Sequence, residues 1–270
     1  MTNGGRALAL IKRHGPTVFG LLLLGGALYV VQREFRTLSW SDIKGALDGT
    51  PATSLWAAAG FTLAAYVVLT AYDRLGSVYA GHPVSYARTS LASFVAYSLA
   101  NNLGFATVSG AAIRYRFYAA WGLPPLAIAK VVAFTSLTFG LGGFALGGLV
   151  LVMQPGVPPF FGEGAPRWAM QAVGVAMWCI VAAYILAARF VSHFRLFGHQ
   201  IDLPGFRMAV GQTVLASADV AVTALVFWTL LPHADGLTFL HFLGIYVLAL
   251  SAGIIANVPG GIGVFDGAIL

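Results

Sequence analysis

Residues 101–116 read NNLGFATVSGAAIRYR, and the interpretation of this stretch decides the fold. The run before it, SLASFVAYSLA, is apolar enough to lie in a membrane. Two adjacent asparagines then follow, with two glycines, a Thr, a Ser and two arginines one residue apart. A lipid-facing helix tolerates none of this. Backbone polar groups in hydrocarbon must be satisfied internally, so irregular backbone at depth survives only against protein or a water-filled cavity. The stretch is therefore expected to be the broken, polar interior of a membrane protein.

Composition supports that reading. Of the 270 residues, 59% are hydrophobic and 9% are charged, where a soluble domain carries about 25% charged residues. Mean hydropathy is +0.83. The 33 glycines suit helices packing closely in lipid. The net charge of +6 is spread over loops, which fits orientation by loop charge rather than nucleic-acid binding. Cys179 stands alone, so no internal disulfide can form. Arg6, Lys12 and Arg13 precede an apolar run without a clean cleavage site, which reads as a retained first helix.

Taken in order, Thr17 to Val31 is just long enough to span if Lys12 and Arg13 snorkel. Gln32 to Thr50 is a mixed-charge connector. Within it, Ser39 and Asp42 resemble a capping box, and Trp40, Ile43 and Leu47 form a partial stripe of a short interfacial helix. Ala52 to Tyr72 is a full span ending at Asp73-Arg74, where an interfacial ion pair would be ordinary. Ala92 to Ser109 re-enters the membrane. The Pro pair at 124–125 marks a turn. Ala127 to Met153 is a long span in which Gly143 and Gly147 make a GxxxG packing pair. Spans follow at Trp168 to Ala188, Met208 to Leu231 and Phe239 to Ala256, with Arg189 to Arg207 as a basic loop. Val264 to Leu270 begins a further helix. Seven residues cannot span, since about 20 are needed, so the chain is expected to be a fragment of a longer one.

Charge asymmetry gives an orientation. One set of loops and span ends holds Arg6, Lys12, Arg13, Arg74, Arg88, Arg114, Arg116, Lys130, Arg189, Arg195 and Arg207. The other holds Arg33, Arg36, Lys44 and Arg167, diluted by Glu34, Asp42, Asp48 and Glu163. The first set should be cytoplasmic, and the N-terminus with it. Thr89 to Pro125 must then start and finish on one side. A re-entrant hairpin or two short half-helices satisfies that parity; one ordinary span does not.

Charges at membrane depth are costly and usually face a cavity or a partner. Asp219 lies midway along its span, and Gln212, Ala216 and Thr223 share its helical face. It could contact a cation or ammonium, pair with an arginine, or be a structural acid. Arg114 and Arg116 follow the broken stretch, and a guanidinium fork suits phosphate. Residues i and i+2 do not share a helix face, so of these two substrate-binding candidates at most one is expected to point into the cavity; Arg114, nearer the Gly-rich break, is favoured, and the other reading is that both mark the cytoplasmic boundary. Asp266 follows a second Pro/Gly-broken segment, Asn257 to Gly263, and Asn102 sits in the first. Paired interruptions point to a transporter binding site. Lys130 and His241 near span ends read as interfacial groups. No enzyme signature, cofactor motif or metal-ligand spacing appears. The fold expected is an all-α polytopic membrane bundle with re-entrant or broken helices.

The motifs ANNLGFATVSGAAIRYRFYAAWGL and IIANVPGGIGVFDGAIL together resemble the membrane region of the multiple peptide resistance factor family. Its members are bacterial phosphatidylglycerol lysyltransferases with an N-terminal flippase domain; stand-alone relatives lack the synthase. The resemblance implies an eight-helix module over residues 1–270, with synthase helices and a soluble aminoacyltransferase domain beyond it in a full-length member. It implies transfer of lysyl- or alanyl-phosphatidylglycerol from inner to outer leaflet of a bacterial cytoplasmic membrane, and resistance to cationic antimicrobial peptides. It places functional charges on Arg114 and Asp266 through the two motifs, and on Asp73 and Asp219 by position. Family members often carry Glu where Asp219 stands. The expected partners are an aminoacyl phospholipid, the bilayer and a second copy of the chain as a homodimer, with no nucleic acid. Two other classes share these features: an ion-coupled transporter of a small solute, and a membrane anchor whose charges are structural.

Overall fold

In the computed structural model, the described residues are 39–103, 106–156, 166–191, 193–196, 199–231 and 236–256. The expected first helix at Thr17 to Val31 and the broken segment from Asn257 onward lie outside them. The elements run α1 (Trp40–Gly49), α2 (Ala52–Tyr79), α3 (Tyr86–Leu103), α4 (Ala106–Ala120), α5 (Pro125–Met153) and α6 (Arg167–Phe190), then β1 (His193–Leu196), β2 (His199–Asp202), α7 (Phe206–Leu230) and α8 (Phe239–Ala256). The architecture is a helical membrane bundle. Helices α2, α5, α6 and α7 are long and apolar enough to cross a membrane.

Prolines set where several of these helices begin. Pro51, Pro124 and Pro166 each precede a helix in extended conformation. Pro125 then occupies the first helical position, where its missing N–H costs nothing. Helix α2 has 28 residues, about 42 Å at 1.5 Å per residue, which exceeds the ~30 Å hydrocarbon core. It passes the expected end at Tyr72 by nearly two turns, so Asp73 and Arg74 lie within a helix and not at its boundary.

A helical hairpin brings both ends of Thr89 to Pro125 to one side. α3 and α4 pack on each other and are joined across residues 104–105. Arg88, near the start of α3, lies 5.7 Å from the Trp121 ring just past the end of α4. Val84 and Tyr118 belong to one buried cluster. The chain therefore leaves and returns on one face. That face also collects the end of α2 and the start of α5, since Tyr79 donates to the Asp202 carbonyl and Lys130 pairs with the Asp202 carboxylate at 2.7 Å. Lys130 is thus an ion-pair partner as well as an end-of-span group.

The stretch from Arg189 to Arg207 is more than a loop. His193 to Leu196 pairs antiparallel with His199 to Asp202. Close helix packing also differs in detail from the GxxxG expectation. A Cβ at Gly142 would collide with the Ala216 backbone carbonyl of α7, and one at Gly148 would lie 2.9 Å from the Gly174 carbonyl of α6. Gly147 meets Met177, whereas Gly143 faces open space. The seams run through Gly142, Gly147 and Gly148 because α5 is flanked on two sides, and a single i,i+4 pair serves one.

Candidate functional site

Among the described residues, the bundle buries Asp73, Arg114 and Asp219; Asp73 is 0% exposed and the other two are 5% exposed. Arg114 binds Asp73 side-on. Its Nε donates to Oδ1 at 2.9 Å and its Nη2 to Oδ2 at 2.8 Å. Tyr118, one turn further along α4, donates its hydroxyl to the same Oδ1 at 2.9 Å. The guanidinium carbon lies 4.6 Å from the Tyr97 ring centre. Gly110 leaves room for it: a Cβ there would come within 3.2 Å of Nη1. Two charges in a low-dielectric interior repay desolvation only with this kind of paired, hydrogen-bonded geometry.

Asp219 is held differently. Tyr72, the residue before Asp73, donates its hydroxyl to Asp219 Oδ2 at 3.1 Å. Among the described residues Asp219 makes no salt bridge. Adjacent residues of α2 therefore serve two acids: Asp73 meets a cation, and Tyr72 hands a neutral donor to Asp219.

Further along α7 lies a neutral cluster. Gln212 Nε2 donates to Thr138 Oγ1 at 2.6 Å and to the Phe134 carbonyl at 3.3 Å. Its Oε1 accepts from the Tyr184 hydroxyl. Gln212 and Thr138 are both 0% exposed. The face shared by Gln212, Ala216 and Asp219 is buried as the helical spacing predicts, with Thr223 only half-buried.

The expected site residues thus separate. Arg114, Asp73 and Asp219 come together. Arg116 is exposed, as its two-residue offset from Arg114 requires. The ion pair expected between Asp73 and Arg74 does not form. Asp73 points inward to Arg114, while Arg74 Nη1 donates to the Val84 carbonyl at 2.6 Å; neighbouring helix positions are about 100° apart and serve different faces. Asn102 lies near the end of α3, and its side chain, like all of Asp266, lies outside the described residues. Sequence reasoning missed Tyr72 and Tyr118. Tyr118 had a usable signal, since i and i+4 on a helix share a face.

No family profile matches the chain. It is 32% identical to the Synechocystis protein slr0712 over 261 residues, covering 96% of this chain and 81% of that one. The chain belongs to the slr0712 family. It is also 26% identical to the inner membrane protein YbhN of Escherichia coli, over 87% of this chain and 73% of YbhN. A phosphatidylglycerol lysyltransferase of Bacillus subtilis is 24% identical over 96% of this chain, a region that makes up 30% of the lysyltransferase. The chain is thus a homologue of YbhN-like membrane proteins and, more distantly, of the lysyltransferase's matching part.

Proposed function

We propose that this bundle moves a phospholipid with a cationic or zwitterionic headgroup across a bacterial inner membrane, with aminoacyl-phosphatidylglycerol as the best-fitting substrate. The observation that carries this reading is the buried Asp73–Arg114 pair with Asp219 one residue away through Tyr72. A phosphate can replace Asp73 on Arg114 while an ammonium replaces Arg114 on Asp73. The exchange keeps each charge paired, so it avoids the several kcal/mol that an unpaired buried ion would cost. Asp219 supplies a second acid for the second ammonium of a lysyl headgroup. An alanyl headgroup, with one ammonium, leaves Asp219 to its tyrosine. The acyl chains stay in lipid while the headgroup passes the α3–α4 hairpin.

Orientation follows from charge. The face that gathers Arg74, Arg88, Lys130 and Arg207 is cytoplasmic by the positive-inside bias, and the N-terminus lies on the same side. The likeness to the lysyltransferase over 96% of the chain supports the lipid class. Higher identity to slr0712 and to YbhN, an inner membrane protein, supports the membrane placement.

The test is reconstitution of the chain into liposomes loaded with lysyl- or alanyl-phosphatidylglycerol. A membrane-impermeant amine reagent reports headgroups reaching the outer leaflet. The wild-type chain should expose the aminoacyl lipids, and lysyl faster than alanyl. Arg114→Ala should expose neither. Equal exposure by wild type and Arg114→Ala would sink the proposal.

A further inference from the structure

A second site stands at the basic face, outside the buried cluster. Two helices end there in the same way. At the end of α2, the His82 N–H donates to the Ser77 carbonyl and the Gly81 N–H to Val78, with Gly81 at φ 76°. At the end of α4, the Leu123 N–H donates to Tyr118 and the Gly122 N–H to Ala119, with Gly122 at φ 85°. Both are Schellman closures, which need a left-handed residue and satisfy the last carbonyls. Between them lies an open pocket of about 570 Å³, lined chiefly by His82, Ser85, Arg88 and Trp121 with the two glycines.

The walls are held rigidly. Val84 in the floor is buried, its N–H donates to Ser77 Oγ at 3.3 Å, and Arg74 holds its carbonyl. The opposite wall, Trp121, packs edge-on against Tyr118 at 5.6 Å. Arg88 is exposed and lies over the Trp121 ring, and among the described residues it makes no ion pair. A guanidinium stacked on an aromatic ring is oriented without losing its N–H donors. The two helix C-termini bring partial negative charge of about one half each. The start of α3 offsets one of them, and the full charges of Arg88 and Arg74 leave the pocket positive.

We infer that this pocket binds a phosphate group through Arg88, with His82 and Ser85 as further donors and the Trp121 ring as the wall that aims the guanidinium. A lipid phosphodiester and a soluble phosphate share that chemistry. Trp121 touches Tyr118, and Tyr118 donates to Asp73, so two residues stand between an occupant and the buried pair. The inference needs only the membrane bundle and goes beyond the transport reading.

The experiment uses the whole chain in phosphate-free maltoside micelles at low salt, with inorganic phosphate and glycerol phosphate titrated calorimetrically. A second arm adds phosphatidylglycerol to the micelles. Binding of soluble phosphate that is unaffected by phosphatidylglycerol assigns the pocket to soluble ligands; competition assigns it to lipid headgroups. Arg88→Gln should weaken binding by about tenfold or more, and Arg88→Lys by less, because it keeps the charge and loses the fork. Arg167→Gln, on the opposite face, should bind as wild type. If Arg88→Gln does not give a folded protein, His82→Gln and Ser85→Ala together should weaken binding by about threefold or more. Wild-type affinity in Arg88→Gln, or no binding and no competition in either arm, overturns the inference. Lipid exposure in liposomes is read separately, so failure of one assay leaves the other interpretable.

Discussion

Among the described residues, the buried polar groups around Gln212 and those around Asp73 differ in kind. Around Gln212 every described polar atom has a neutral partner, and α5 and α7 meet so closely beside it that Gly142 admits no side chain. Around Asp73 the main partner, Arg114, is charged, and both it and the neutral Tyr118 come from the α3–α4 hairpin. A neutral, saturated cluster between long spans loses a great deal if it opens and offers nothing to an ion. A charged cluster closed by a hairpin can trade one ion for another at little net cost. The first arrangement holds helices together, and the second can bind.

That contrast can be broken in several ways. The largest effect should come from Arg114→Ala, which strands Asp73 as a buried charge; the expected loss is about 3–5 kcal/mol, seen as a fall in the thermal transition in detergent. Restoring neutrality with Arg114→Met and Asp73→Leu together should recover most of that stability without recovering lipid transfer. Recovery of both would mean that the pair is only structural. Next in size, Gly142→Leu should force α7 off α5 and cost about 1–3 kcal/mol or more by overpacking, and Gly143→Leu, facing open space, should cost little. Equal losses would place the seam elsewhere.

Gln212→Leu should cost about 1–3 kcal/mol by orphaning the Tyr184 hydroxyl and removing a donor from Thr138, whose own hydroxyl still bonds the Phe134 carbonyl, with the remaining folded protein still moving lipid. Loss of transfer at full stability would put the neutral cluster into the mechanism. Asp219→Asn should change stability less, because the amide oxygen still accepts from Tyr72, yet it should slow lysyl more than alanyl lipid. Unchanged lysyl transfer removes Asp219 from substrate contact. The smallest effect belongs to Arg116→Gln, which touches only the exposed side of α4 and should leave both melting and transfer near wild type.

Much of this architecture was readable along the chain. Apolar runs of membrane length, the prolines at helix starts and the polar break after Ala100 are local properties, and local chemistry in hydrocarbon has few solutions. Charge parity even required Thr89 to Pro125 to return to its starting face, which the hairpin does. Helical periodicity likewise separated Arg114 from Arg116 and buried Asp219 with Gln212. The partner of Arg114 was beyond such reasoning. Asp73 lies 41 residues away, and nothing in either segment's spacing says that α4 returns against α2; nearest in sequence, Arg74 faces another way. The same holds for the contact of Gly142 with Ala216 and for the strands at His193 and His199. Each depends on which helices pack side by side and at what rotation, a quantity set by side chains from several distant segments at once.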